Sequence, residues 1–535
     1  MAMTYYAQPP MDRKQVLLFR RTLDESIPEG AHVRALDELI DTCDFSEFEQ
    51  TYHGSRGQPP IPPKVLAKLW LYGLKLRFRS SRQLEYVTIN NIDFMWIAQG
   101  HTPDHVTLSN FRKKFKKQIK TLFRQVVRLA ITMGLVQLEQ VTLDGTRVKA
   151  NNSRFETLTA EGIAKELDRL TKELAAGLEE CEAVDKAEDT LFGEGVSGHE
   201  VPPELGTPQA RKLQLKKALE TVREMDEERR RTQQINPAKN PAQLPMTDSD
   251  SRVLPNKEGG YAPNYTPLAA VDTRSDFIVA VDVFAGVTEH THLLPIVKQI
   301  ETDYGKRPEQ VLADGHFATG HNINAFENSG TELISPLPAV GDPLRVNPAV
   351  RADPTQGVPE AEWPNLPRSP LHKKLDKSCF LYDSGQDLYY CPQGQPMPYV
   401  QTKSKVQADD QKLSFRVYGC EECTDCPLRK QCVSEKSKGG RTISRDQFTE
   451  HRERHAAKMA TEPAKAAYKK RLHGGEVAFA HIKQAMGLRQ FLLRGLENVT
   501  TEWLWACTAY NVMKLINSVA KLRAEYAEME VAEVT

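Results

Sequence analysis

The 535-residue sequence lacks any uninterrupted apolar run of about 18 residues, the length that a membrane-spanning helix needs. Its first residues, MAMTYYAQPPMDRK, also lack the charged-then-apolar order of a secretory signal peptide. We therefore expect a cytoplasmic protein with no membrane partner. With 40% hydrophobic and 27% charged residues, the composition excludes a disordered chain, a collagen and a coiled-coil rod as descriptions of the whole molecule.

Cysteine is scarce as well, with nine residues in the whole chain. The number is odd, and five of the nine crowd between residues 391 and 432. A disulfide framework uses cysteines in pairs, whereas a crowded group in a large chain favours a reducing compartment and a bound metal.

Acidic residues are few in two basic segments, although the chain as a whole has 71 basic and 71 acidic residues. Residues 51–135 contain 15 Lys and Arg against three acids, and residues 451–494 contain ten against three. One such cluster is as often a solvated helix face as a binding surface. Two clusters favour a polyanionic partner, and nucleic acid is the natural candidate.

The pattern of elements predicts an α/β protein with several structural units. A mixed sheet is indicated by the order strand, strand, strand, helix, strand, helix, strand between residues 139 and 336. The predicted segments are a helical domain (1–135), a first core strand (136–155), a helical hairpin insertion (156–245), core strands and helices (246–340), a Pro-rich linker with a Cys-rich subdomain (341–450), C-terminal core helices (451–525) and a tail (526–535).

The helical domain carries two helix start signals, one at Pro63 and one at Thr102-Pro103-Asp104. A basic helix follows, FRKKFKKQIKTLFRQVVRLAI, and the arrangement is compatible with a helix-turn-helix, although a plain helical bundle would give the same pattern. We expect phosphate contacts from the basic side chains at its start, which are Arg112, Lys113, Lys114, Lys116 and Lys117.

Two aspartates stand at predicted strand ends, and each is followed by glycine. Asp144 ends the strand EQVTLDG, and Asp314 ends the strand QVLADG. Neighbouring strands of an α/β sheet can bring such side chains together at a ligand site. An Asp-Gly pair taken singly is more often turn chemistry. A third acid, Glu476, falls with Phe479 and Lys483 at helical spacing in a later basic segment.

Several ordered blocks resemble the DDE transposases of bacterial insertion sequences, in the branch named for a Tyr-Arg-Glu-Lys signature. The blocks are GQPPIPPKVLAKLWLYGLKLRFRSSRQLEYVTINN at the front, VTLDGTRVKANNS, VLADGHF, and the tail residues Tyr468, Arg471, Glu476 and Lys483. Glu476 and Lys483 have the usual six residues between them. Arg471 and Glu476 have four between them, one more than the common form of the signature.

The resemblance implies a ribonuclease H-like core with a helical N-terminal domain. Asp144, Asp314 and Glu476 would bind two Mg²⁺ (or Mn²⁺) ions, with Asp144 bridging, and Tyr468, Arg471 and Lys483 would hold DNA near the cut. The implied reaction is hydrolysis at the element's terminal inverted repeats, followed by transesterification into target DNA. Two or more protomers would act together on double-stranded DNA in the nucleoid.

The Cys-rich segment suggests a structural zinc ion. Thiolates two residues apart on tight turns bind tetrahedral Zn²⁺. The preferred ligands are Cys391, Cys423, Cys426 and Cys432, with Cys420 as a substitute. Reduced thiols packed without an ion are the alternative. Cys43, Cys181, Cys379 and Cys507 stand alone and are expected to be structural, as are His290, His292 and His316 unless they face DNA.

Two other functions remain open from the sequence. A repressor or domesticated relative would bind DNA without cutting it, and a metal-dependent nuclease would cut without strand transfer. The presence of all three acids favours the transposase over the first of these.

Overall fold

The computed structural model describes most of the chain, in the ranges 22–52, 60–152, 157–173, 203–233, 235–256, 259–286, 288–337, 347–369, 373–406, 412–434, 437 and 439–534. The chain divides into two compact units. The helical unit comprises Met1–Leu135, Ala480–Leu492 and Thr500–Thr535, and the sheet unit comprises Val136–Phe479 and Leu493–Val499.

Among the described residues, the helical unit contains helices and the sheet unit contains both helices and strands. The helices are α1 His32–Asp41, α2 Ser46–Glu49, α3 Pro63–Lys75, α4 Ser81–Asn90, α5 Ile92–Ala98, α6 His105–Lys114, α7 Lys116–Thr132, α8 160–173, α9 Pro203–Gln233, α10 Leu293–Tyr304, α11 Gly320–Glu327, α12 Arg429–Cys432, α13 Thr449–Met459, α14 Glu462–Ala480 and α15 Leu496–Val534. The strands are β1 Gln140–Gly145, β2 Val148–Lys149, β3 Thr157–Thr159, β4 Gln243–Pro245, β5 Arg252–Pro255, β6 Tyr261–Asp272, β7 Ile278–Phe284, β8 Gln310–Leu312, β9 Glu332–Ile334, β10 Leu381–Asp383, β11 Leu388–Tyr390, β12 Pro396–Met397, β13 Tyr399–Val406, β14 Lys412–Gly419 and β15 Thr442–Asp446.

Both predicted helix starts in the helical unit are confirmed. Helix α3 begins at Pro63. The backbone N–H of the first helical residue has no partner within the helix, so proline, which lacks this N–H, loses no hydrogen bond there. Asp104 caps α6, because its side chain accepts a hydrogen bond from the backbone N–H of Thr107. The basic helix predicted from residue 111 onward is instead two helices, α6 and α7, which break at the buried residue Phe115.

Most of the apolar C-terminal helix belongs to the helical unit, whereas the sequence grouped residues 451–525 with the core. The ring of Trp505 lies 6.0 Å from that of Phe111, and the buried carboxylate of Glu502 pairs with Arg79 at 2.9 Å. Trp505 and Glu502 of α15 therefore contact the N-terminal part of the helical unit. Helix α15 also continues to Val534, through the segment predicted as a tail.

The sheet unit is built on a sheet of seven strands, and its mixture of parallel and antiparallel pairs is as predicted. Strand β1 runs antiparallel to β6 and parallel to β8, and β8 runs parallel to β9. On its other side β6 forms the predicted antiparallel hairpin with β7. Helices α10 and α11 connect these strands in the predicted order. The parallel arrangement of β1 and β8 places their carboxyl ends side by side.

Two further parts of the sheet unit have apolar cores of their own. Helices α8 and α9 bury Ile163, Leu170, Leu215 and Val222 together, and Cys181 lies outside the described residues. Between β9 and α13, two small sheets of three strands each carry the Cys-rich segment around a second apolar cluster.

Candidate active site

The two aspartates predicted from the strand ends lie at neighbouring positions of the main sheet. Asp144 is the penultimate residue of β1, and Asp314 follows β8 after one residue. Asp314 caps the short turn Gly315–Phe317, because its Oδ1 accepts a hydrogen bond from the N–H of His316 at 2.9 Å. The adjacent, parallel strands thus bring both carboxylates to one edge of the sheet.

Arg471, on α14, lies between the two aspartates. Its Nη2 is 3.4 Å from Oδ1 of Asp144 and 3.8 Å from Oδ2 of Asp314. The Arg471 side chain is largely buried, and its Nε has no hydrogen-bond partner among the described residues. One positive charge therefore faces both carboxylates, through contacts that are long for charge-assisted hydrogen bonds.

Glycine allows α14 to approach β1 closely. A Cβ atom at Gly475 would lie 2.8 Å from the Cβ of Asp144, which is closer than side-chain carbons approach each other. Helix geometry places Gly475, four residues after Arg471, on the same face of α14. Arg471 and Gly475 thus present one helix face to Asp144.

Glu476 is not on that face. It follows Arg471 by five residues, which corresponds to a rotation of about 140° around an α-helix. Its side chain is exposed, and it makes no hydrogen bond or ion pair within the described part of the chain. The structure brings Asp144 and Asp314 together but does not bring the carboxylate of Glu476 to them. With four residues between them, Arg471 and Glu476 project from different faces of α14.

A fourth carboxylate, which the sequence reasoning missed, lies at the same sheet edge. Glu289 opens the turn Glu289–His292, and its Oε2 would lie 2.5 Å from a Cβ at Gly145. Burial raises the pKa of Glu289, the Arg147 guanidinium lowers it, and the charges of Asp314 and Asp144 raise it further. The one sequence signal was Gly145, which is also compatible with turn chemistry.

The other two residues of the predicted signature, Tyr468 and Lys483, lie in different units. Tyr468 is half-buried beside Leu312 and Ile334, and its ring lies 6.0 Å from the guanidinium carbon of Arg471. Lys483 lies in a π-helical turn, His481–Ala485, within the helical unit. Because the helix changes its period there, the predicted spacing of Glu476, Phe479 and Lys483 does not continue past Ala480.

The candidate histidines have structural partners. His292 pairs with Asp282 at 2.7 Å and stacks on Phe284, and the backbone carbonyl of His290 accepts a hydrogen bond from Asn322. His316 is the exception, because its ring is almost fully exposed beside Asp314.

The basic residues of the helical unit divide into exposed and buried ones. Lys113, Lys114 and Lys117 are exposed and Lys116 is half-buried. Arg112 is buried with its guanidinium carbon 3.9 Å from the centre of the Trp70 ring, and burial lowers its pKa to about 10. The phosphate contact predicted for Arg112 is therefore wrong for this conformation, because the side chain faces the interior of the unit.

Five cysteines line one cavity of about 20 Å³ in the Cys-rich part: Cys391, Cys420, Cys423, Cys426 and Cys432. Backbone N–H groups point at the sulfur atoms of three of them. Gln393 donates to Cys391 at 3.3 Å, Arg441 donates to Cys423 at 3.4 Å, and Cys426 accepts from Leu428 and Arg429. A hydrogen bond from the Cys420 thiol is the largest cause of a lowered pKa at Cys391, which falls to about 6, and backbone hydrogen bonds from Gln395 and Gln393 lower it further, whereas burial raises it.

Neither carboxylates nor cysteines form a finished metal site. Among the residues that the structure describes, no group of three or more His, Cys, Asp or Glu side chains is arranged to hold a metal ion as it stands. The same residues include no helix that is both long and apolar enough to cross a membrane.

Two family models match parts of the chain. A model described as "Transposase DDE domain" matches residues 390–516, and one described as "Transposase domain (DUF772)" matches residues 21–114. The first covers the cysteines and the helix with Arg471 and Glu476, but not the strands with Asp144 and Asp314. Comparison with curated proteins and with solved structures gave no match.

Substitution of Gly475 by alanine tests the contact between α14 and β1. Helix propensity alone favours alanine by about 1 kcal/mol, but overlap with the Cβ of Asp144 at 2.8 Å costs about 1–3 kcal/mol. We expect Gly475→Ala to lower the free energy of unfolding, measured by urea denaturation. Val477→Ala, at an exposed position on the same helix, is the control and should change it by less than about 0.5 kcal/mol. A stabilised Gly475→Ala protein would contradict the close approach.

Arg112 and its lysine neighbours should respond to mutation in different ways. Arg112→Ala removes a buried cation–π contact, so we expect the free energy of unfolding to fall by about 1–3 kcal/mol. Lys113→Ala and Lys117→Ala should leave stability unchanged. If these lysines contact phosphates, each should reduce the salt dependence of duplex DNA binding by about one unit of log–log slope. Equal slopes for wild type and both lysine variants would remove them from the DNA interface.

Proposed function

We propose, from the premise that the two family matches support an insertion-sequence DDE transposase, that this chain cuts and joins DNA at the terminal inverted repeats of its element. The observation that carries the proposal is the pair Asp144 and Asp314, which face one guanidinium at a single sheet edge. Clustered carboxylates near positive side chains are the typical protein contribution to metal-dependent phosphodiester chemistry.

The sheet is proposed to be a ribonuclease H-like core. This interpretation is supported by the strand directions: β7, β6 and β1 are successively antiparallel, and β1, β8 and β9 are successively parallel. Helix α10 connects β7 to β8, so the second aspartate returns beside the first.

The two aspartates fit a divalent cation by their chemistry. Carboxylate oxygens are the ligands that Mg²⁺ and Mn²⁺ prefer. In this structure the Arg471 guanidinium supplies the positive charge that faces both aspartates. When bound, a pair of such ions activates the attacking oxygen and stabilises the leaving oxygen of an in-line displacement. The same site would use water first and then the freed 3′-OH of the element.

Arg471 has two proposed roles that follow one another. Without DNA, its guanidinium offsets the repulsion between Asp144 and Asp314. Its contacts there are long and its Nε is unsatisfied, so a phosphate group would offer the better partner, with two parallel hydrogen bonds. In the DNA complex Arg471 therefore contacts the backbone near the cut, with Tyr468 beside it. Lys483, in the helical unit, is proposed as a phosphate contact of its own.

Glu476 is proposed to complete the acids in the DNA complex. Its backbone adjoins Gly475, the residue that touches Asp144. Its side chain lies about 140° around the helix axis from Arg471, so α14 would have to turn or rearrange before the carboxylate could reach the sheet edge. The exposed lysines of the helical unit would bind the duplex, and two or more protomers would hold the two element ends during joining.

A second candidate function is supported by the position of Glu476. A chain whose third acid stays on the solvent-facing side of α14 would bind element ends without cutting them, as a repressor does. A nuclease that cuts without joining would use the same acids. The experiment below separates all three.

Asp144→Asn should abolish cutting and joining while leaving binding intact. The substitution keeps the shape of the side chain but removes its charge, so we expect loss of activity in Mg²⁺ or Mn²⁺ by a factor of at least about 10³. The assay combines the protein, DNA carrying the repeats that flank its coding sequence, and a target plasmid, and it scores nicked and joined products.

Glu301→Gln, an exposed position on α10, is the matched control for this assay. Joined products from the wild type support the transposase, nicked products alone support the nuclease, and binding without products supports the repressor. Activity of Asp144→Asn at the wild-type rate would refute the assignment of the site.

The Cys-rich part is proposed to bind one structural Zn²⁺ ion. Thiolate ligands in zinc sites are oriented and stabilised by hydrogen bonds from surrounding groups, and Cys391, Cys423 and Cys426 have such bonds. Cys432, or Cys420 in its place, would supply the fourth sulfur. Cys391 and Cys420 hydrogen-bond to each other, so ion binding requires loss of thiol protons.

Metal analysis of the purified chain should find about one zinc ion per molecule. We expect Cys423→Ser to lose the zinc and to unfold at lower temperature, because the ion crosslinks this part of the chain. Cys43→Ser, in the helical unit, is the control for zinc content. Comparison of Cys432→Ser with Cys420→Ser identifies the fourth ligand. A folded wild-type chain without zinc would refute the proposal.

A further inference from the structure

The spacing of three signature residues does not fit one continuous α-helix. Arg471 and Glu476 are five residues apart, which corresponds to a rotation of about 140° on an α-helix. Glu476 and Lys483 are seven residues apart, which is close to two full turns. In an uninterrupted α-helix Glu476 and Lys483 would share a face, and Arg471 would lie on another. All three share a face only if the helix takes up one additional residue between Arg471 and Glu476.

The structure takes up an additional residue, but further along the chain. Directly after α14, His481–Ala485 form a π-helical turn, in which the N–H of Met486 donates to the carbonyl of His481 at 3.1 Å. That hydrogen bond spans five residues, whereas an α-helical one spans four. The π turn follows Glu476, so it leaves the direction of that side chain relative to Arg471 unchanged.

The segment just before Glu476 has little intrinsic preference for an α-helix. Gly474 and Gly475 are consecutive there, and glycine weakens a helix relative to alanine because it loses more conformational freedom. Neither glycine has a side chain that would need a new packing partner if the period of the helix changed. A change of period therefore disturbs less packing here than in a stretch of larger residues.

A π turn between Arg471 and Glu476 would align the signature. Such a turn joins residues five apart, so Glu476 would lie above Arg471 on the helix face that contacts β1. If His481–Ala485 became α-helical in exchange, Lys483 would share that face, because it follows Glu476 by seven residues. The exchange replaces one π turn by another, so the backbone keeps the same kinds of hydrogen bond.

We infer that this helix has two registers, and that the π turn moves from His481–Ala485 to the segment between Arg471 and Glu476 when the protein binds DNA. The inference rests on the proposed function and describes the regulation of that site. In the observed register the exposed side chain of Glu476 lies away from Asp144. In the second register the residues between the two positions of the turn rotate by about 100°, the angle that one residue contributes to an α-helix.

Other contacts hold both ends of the segment that rotates. At its beginning Arg471 faces the aspartate pair. At its end, Nε and Nη2 of Arg77 donate to the carbonyls of Ala485 and Gln484 at 2.7 and 2.8 Å. DNA favours the second register, because only that register presents Arg471 and Lys483 on one face, where both contact phosphate groups of one backbone. The observed register thus keeps the site inactive until DNA is bound.

Two deletions of a single residue separate the registers in the full chain. Deletion of His473 removes the additional residue before Glu476, so Arg471 and Glu476 share a face of a continuous α-helix. Deletion of Gln484 removes it from the π turn instead, so the helix is continuous while Glu476 stays on the exposed side. The two variants have equal length and both lack the π turn, so each is the control for the other. Circular dichroism and urea denaturation establish that they are folded.

The first measurement is the exposure of Glu476 without DNA, by carbodiimide labelling of carboxyl groups and mass spectrometry. Glu476 should be labelled in the wild type and in the Gln484 deletion, and the His473 deletion should lose most of this labelling. Undiminished labelling of Glu476 in a folded His473 deletion overturns the inference. If the His473 deletion does not fold, the activity of the Gln484 deletion decides.

The second measurement is cutting of DNA that carries the element's repeats. The wild type and the His473 deletion should cut it, and the Gln484 deletion should bind it but cut more slowly by a factor of at least about 10³, as expected when the third acid is absent from the site. Cutting by the Gln484 deletion at the wild-type rate overturns the inference and leaves the proposed function in place. A wild type that binds without cutting refutes the proposed function, and the inference with it.

Discussion

The carboxylates of Asp144, Asp314 and Glu289 lie at one edge of the main sheet, where their negative charges face two arginines. The negative charges of Asp314 and Asp144 raise the pKa of Glu289, because like charges close together disfavour ionisation. Two arginines offset these negative charges. Arg471 faces the aspartate pair from α14, and Arg147 faces Glu289 from the end of β1. Neither pair lies free on the surface, so solvent screening is reduced at both.

The close contact between α14 and β1 follows from the same requirement. Arg471 reaches the aspartates only because Gly475, one turn later, allows the helix backbone to lie against Asp144. The helix that supplies the positive charge is therefore also the helix that carries Glu476. A movement of α14 would therefore change both the charge that faces the aspartates and the direction of the Glu476 side chain.

The positions of Asp144 and Asp314 could be predicted from the sequence, because they depend on local sequence patterns. The alternation of apolar residues gave the strands, and the order of strands gave the adjacency of Asp144 and Asp314. Three features depended on packing instead. Glu289 is recognisable only through its contact with Gly145, and Arg112 lies in a basic run whose sequence does not indicate which member faces inward. The apolar pattern of α15 indicates burial but not its partner, which proved to be other helices.

The small size of residue 145 has a consequence for mutational tolerance. Every substitution there adds at least one carbon atom against the Glu289 carboxylate, so no exchange is conservative, however similar in polarity. Random variation under selection for activity should leave this codon invariant, while neighbouring surface positions drift. Residue 145 therefore accepts no side chain while the Glu289 carboxylate keeps its position.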